Sequence, residues 1–74
     1  MTSKPRLFEL IRDVDVSGVS GTGKVAEGAV FSDGTAVVHW IGQWSTTAVH
    51  CQGIDSVREI HGHAGRTRVV WTSD

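Results

Sequence analysis

A glycine-rich run ending in lysine is the first place where this sequence suggests chemistry. Gly18-Val19-Ser20-Gly21-Thr22-Gly23-Lys24 matches the first seven positions of GxxxxGK, the loop whose backbone amides and lysine cradle a nucleotide's phosphates. The eighth position fails, because Val25 stands where a serine or threonine hydroxyl should hold magnesium. The residues that follow alternate like a strand and do not open a helix, so no helix dipole is aimed at a phosphate. A nucleotide-hydrolysing loop is therefore not expected. A smaller role stays open, in which Ser17, Ser20, Thr22 and Lys24 hold a phosphate or sulfate in a nest of backbone amides.

The second group is His50-Cys51 together with His61-Gly62-His63. Imidazole and thiolate are zinc ligands, but the spacing suits no standard zinc framework: there is one cysteine, no CxxC pair, and His50 and Cys51 alternate to opposite faces of a strand. No metal and no cofactor is expected. His61 and His63 are read as closing a helix end, where the dipole favours them, and as shaping the loop beyond it. Cys51, on a strand, is expected to be a small core residue. A hydrolytic triad could be assembled on paper from Cys51 or Ser45, a histidine and Asp13 or Asp15. Nothing local provides a strained nucleophile turn or an oxyanion pocket, so the chain is read as no enzyme.

Binding chemistry is better represented. Of the aromatics Phe8, Phe31, Trp40, Trp44 and Trp71, most are expected in the core of so small a protein. Trp44 follows the Gly42-Gln43 turn signal and precedes Ser45 and Thr46, so it is the one expected at the surface. An exposed indole near Arg66 and Arg68 could stack a base or a peptide side chain, or close the end of a barrel. Asp13 and Asp15 near the end of the first strand, and Arg66 and Arg68 at the last, suit cross-strand ion pairs.

These residues must be held by short strands. Alternation over 7–15 puts Phe8, Leu10 and Val14 on a buried face, and the Gly/Ser segment 17–23 reads as a loop. A second strand is predicted over 24–31 with a bend at Gly28. Ser32-Asp33-Gly34-Thr35 is the clearest local signal, since Asp-Gly between two β-rich runs favours a tight hairpin. Strands over 35–41 and 44–51 continue the meander, with Val38 and Trp40 sharing one face of the first. Over 53–62, Ile54, Val57 and Ile60 recur every third residue with Asp55 or Ser56 as a cap, which predicts a short helix or 3₁₀ segment ended by a left-handed glycine. A last strand follows over 67–71.

The order of strand, long loop, three-strand meander, helical turn and strand is that of an SH3-like barrel, with a half-open β-roll as the rival. The chain has 74 residues, enough for one small mainly β domain, with 1–6 and 72–74 read as loose tails. Its formal charge of −1 excludes non-specific coating of nucleic acid by phosphate neutralisation. No apolar run approaches a membrane span and no signal peptide is visible, so no membrane partner and a cytoplasmic location are expected.

Several phrases carry a resemblance: Phe8-Glu9-Leu10-Ile11-Arg12-Asp13, Ser20-Gly21-Thr22-Gly23, Phe31-Ser32-Asp33-Gly34-Thr35, His61-Gly62-His63 and Thr67-Arg68-Val69-Val70-Trp71. Across nearly its whole length the chain resembles a group of small proteins encoded by actinobacteria and their phages. That group often has glycine after the second loop histidine, where this chain has Ala64. The resemblance implies an origin and brings no activity or site residues with it.

The resulting expectation is a non-enzymatic binding module that mediates protein-protein contact, or self-association as a homodimer, through a patch with Trp44, Val37 and Ile41. The alternative is a binder of nucleic acid, nucleotide or another small ligand. Its candidate residues are Ser20, Thr22, Lys24, Trp44, His61, His63, Arg66 and Arg68.

Overall fold

A computed structural model describes residues 4–13, 22–62 and 67–73. Six elements follow in order: β1 (Arg6–Arg12), β2 (Gly23–Val30), β3 (Ala36–Trp40), β4 (Thr47–His50), α1 (Ile54–His61) and β5 (Thr67–Trp71). All strand pairs are antiparallel, in one five-stranded sheet of order β4-β3-β2-β1-β5. The first and last strands pair, as the barrel reading requires. The sheet nevertheless ends at β4 and β5, so it is an open roll with a helix across it and not a closed barrel.

Strand periodicity assigns the two faces. Phe8, Leu10, Ala26, Ala36 and Val38 point inward with the partly buried Val30, Trp40, Val69 and Trp71, and α1 lays Val57 onto them. Phe8 meets Trp71 edge to face at 5.7 Å, and the Arg6 guanidinium sits 3.8 Å above the Trp71 ring. Outward, register lines up Leu7, Ala29, Val37 and Val49 in one row, and Val70, Glu9, Glu27, His39 and Thr47 in the next.

The Asp-Gly hairpin forms as its sequence predicts. Gly34 takes φ 94°, and the Asp33 carboxylate accepts from the Thr35 amide at 2.9 Å. That bond holds the Asp33 carboxyl below its ordinary range. Several details differ from expectation. The irregularity in β2 is not at Gly28: the β1–β2 register shifts between Leu10 and Ile11, which lets both Val25 and Ala26 turn inward. Gly28 is required for a different reason, because a Cβ there would run into the Val37 carbonyl and lie 2.6 Å from Phe8 Cζ. The helix is capped by the backbone of Gly53, with no side-chain bond from Asp55 or Ser56, and Gly62 closes it in a right-handed conformation. Ile60 is exposed, since three-residue spacing drifts off a face of 3.6-residue period. β4 stops at His50, so Cys51 falls in a turn and is exposed, not in the core. After β5, the Thr72 amide bonds the Leu7 carbonyl and Ser73 Oγ accepts from the Leu7 amide, holding this end against β1.

Candidate interaction surface

The predicted site residues separate in space. Lys24 stands on the outer face of β2, where Ile11 of β1 lies between it and Arg68 of β5. Both cations are already engaged. Lys24 Nζ reaches Glu9 at 3.0 Å and Glu27 at 3.1 Å, and these hydrogen bonds, Glu9 first, raise its pKa. Arg68 forks onto Asp13 through Nε at 2.9 Å and Nη2 at 3.2 Å, which raises its pKa as well. The cross-strand ion pair read from the sequence is therefore present for Arg68 and Asp13. Thr22 is exposed just ahead of β2. Ser20, His63 and Arg66 lie outside the described residues, as do Val14, Asp15 and most of the Gly/Ser loop.

His61 does not simply close the helix. Its ring packs edge to face on Trp40 at 4.9 Å and on His50 at 5.4 Å. His50 is buried with Nδ1 bonded to Ser56 Oγ at 3.0 Å, while its Nε2 has no hydrogen-bond partner among the described residues. The cluster thus seals the space between α1 and the β3–β4 hairpin. Among the described residues no group of three or more histidine, cysteine or acidic side chains is placed to hold a metal ion.

Trp44 is at the surface as its sequence context predicts, 83 % exposed at the β3–β4 turn, with Ile41 beside it at 48 %. Lys24, Val25, Trp40, Ile41, Gly42, Gln43 and Trp44 line one hollow of about 580 Å³. Val37, expected in the same patch, lines a different one: a groove of about 410 Å³ on the outer face with Leu7, Ala29, Glu9, Glu27 and His39. The row continues to Val49, 64 % exposed on β4. Sequence reading missed Leu7 and Val49, and a signal was present for the second. Residues 42–53 contain no Asp, Glu, Lys, Arg or Pro, so the β4 edge lacks the charges and proline that ordinarily keep a strand edge from pairing.

No helix among the described residues is long and apolar enough to cross a membrane. A family model described as Acb5 phage protein matches residues 5–73, so the chain belongs to that family. The match supports the phage part of the resemblance read from the sequence. No curated protein and no solved structure matches.

Proposed function

We propose that this member of the Acb5 phage protein family is an accessory protein that works without catalysis, as an interaction module that meets another protein through the β3–β4 turn and the β4 edge. The observation that carries this reading is Trp44, 83 % exposed within a stretch free of charge and flanked by exposed Ile41 and Val49. A large indole left in water gains hydrophobic free energy when a partner covers it, and buried tryptophans dominate the energetics of protein interfaces. The charge lining this hollow favours a protein over a phosphate ligand, because Lys24 is already engaged by Glu9 and Glu27. One observation keeps a second reading, a nucleotide or nucleic-acid ligand: Lys24 lines the same hollow as Trp40 and Trp44.

A photoreactive phenylalanine analogue at position 44, irradiated in phage-infected cells, tests the first reading. A discrete protein adduct, insensitive to salt, is expected. Adducts confined to nucleotide or nucleic acid, and not formed when a lysate of the infected cells is irradiated in high salt that competes for phosphate contacts, would transfer the site to the second reading.

A further inference from the structure

We propose that the free edge of β4 is the docking site for a second copy of this chain, paired antiparallel about a twofold axis near Ala48. The inference deepens the protein-contact reading and rests on it. The hydrogen-bond pattern of β4 decides which of its groups face outward. The Trp40 amide donates to the Thr46 carbonyl at 2.8 Å, and the same register puts Val38 opposite Ala48 and Ala36 opposite His50. In an antiparallel ladder these alternate residues exchange bonds with β3, so the N–H and C=O of Thr47 and Val49 point away from the sheet. Among the described residues nothing bonds them, and β4 ends the sheet.

That outward pattern complements itself. With Ala48 on the twofold axis, Thr47 of each copy faces Val49 of the other, and each such pair exchanges both backbone bonds. The axis falls on the small Ala48, whose methyl leaves room for the close approach of a non-hydrogen-bonded pair. Across the joint the row of Leu7, Ala29, Val37 and Val49 meets Thr47 of the second copy and then the row of His39, Glu27 and Glu9, so the two apolar rows lie diagonally to one another. Charge raises no objection: residues 42–53 carry none, and the whole chain has a formal charge of −1. The other end of the sheet differs, because β5 presents Arg68 tied to Asp13. A second copy brings an edge of matching length and pattern by construction, which a heterologous partner does only by coincidence.

Sedimentation of the full chain from micromolar to millimolar concentration tests this. The wild type is expected to rise from 8.0 kDa toward twice that mass. Thr47→Pro removes an outward amide without touching a backbone bond to β3, losing only the exposed Thr47 Oγ1–His39 Nδ1 contact at 2.8 Å, and Val49→Lys puts a charge on the edge at an exposed site; both are expected to stay at the single mass with unchanged circular dichroism. Leu7→Lys, on the outer face away from the edge, is expected to double like the wild type. A wild type that never doubles overturns the proposal, as does doubling that survives Val49→Lys or disappears with Leu7→Lys. If Thr47→Pro does not fold, Val49→Lys alone decides. A single-mass wild type that still gives a heterologous protein adduct at position 44 removes the second copy and leaves the interaction reading standing; a single mass with no protein adduct removes both.

Discussion

Gly28 and Ala29 are neighbours on β2, yet they belong to different physical regimes. Gly28 lies under the Phe8 ring and against the Val37 carbonyl, with no space for a single methyl. Ala29 faces outward between Leu7 and Val37, in an open groove. The inner face concentrates the buried volume: Phe8, Leu10, Val38 and Val57 are essentially inaccessible, and the Phe8–Trp71 ring pair, with the Arg6 guanidinium over Trp71, closes one side. On the outer face the charges neutralise one another at the surface, and apolar side chains stay wet. Stability is thus drawn from one face, which leaves the other face and the β4 edge available for binding.

The sharpest break of that contrast is a pair of substitutions one residue apart. Gly28→Ala forces either Phe8 off its rotamer or β3 away from β2, and a loss of about 3 kcal/mol is expected, in the upper range for overpacked cores. Ala29→Ser is expected to stay within about 0.5 kcal/mol. Urea unfolding followed by tryptophan fluorescence measures both, and equal losses would dissolve the distinction between the faces.

Next in size is an expected gain. Thr67, 5 % exposed on the inner face opposite Arg12, has an Oγ1 with no hydrogen-bond partner among the described residues. A buried hydroxyl left unpaired costs about 1–3 kcal/mol, so the isosteric Thr67→Val is expected to stabilise by about 1 kcal/mol in the same urea assay. A loss instead would mean that the hydroxyl is satisfied.

Smaller still, on stability, is Trp44→Ala. It removes the most exposed indole of the chain and is expected to move the urea midpoint by less than about 0.5 kcal/mol while abolishing protein adducts formed by a photoreactive group placed at Ile41. Large destabilisation would make Trp44 part of the core and return the surface argument to Val49.

The inner face was the more legible in the sequence. Alternation placed Phe8, Leu10, Val38 and Trp40, the Asp-Gly pair placed the hairpin, and the Ile54 and Val57 spacing placed the helix, because each signal is local. What failed depended on distant residues. Gly28 reads as a bend from β2 alone, and only the Phe8 ring from β1 explains it. The β1–β2 bulge breaks the alternation of Val25 and Ala26 without any composition mark. Cys51 reads as core because the end of β4 is set by the turn to Gly53, whose amide bonds the His50 carbonyl at 3.0 Å. On the surface, Trp44 was legible from its turn, whereas the pairing of Lys24 with Glu9 required knowing that β1 and β2 lie side by side.

The smallest expected effect tests whether the outer face is truly balanced. Glu9 and Glu27 stand directly opposite each other across β1 and β2, an unfavourable pairing of like charges that Lys24 relieves by bonding both. Because these bonds raise the folded pKa of Lys24 above its ordinary 10.5, their contribution is fully present below that value and is lost as pH rises through the folded pKa. Alkaline titration of stability should therefore show a decline beyond pH 10.5 that Lys24→Met abolishes, since the variant has already lost the bridge at neutral pH. Adding Glu27→Gln to Lys24→Met removes the opposed carboxylate and should recover part of that loss, whereas Glu27→Gln alone should not stabilise. If the double variant is no more stable than Lys24→Met, the two carboxylates are well enough hydrated not to repel, and the apolar row beside them, not charge balance, is what leaves this face open for a partner.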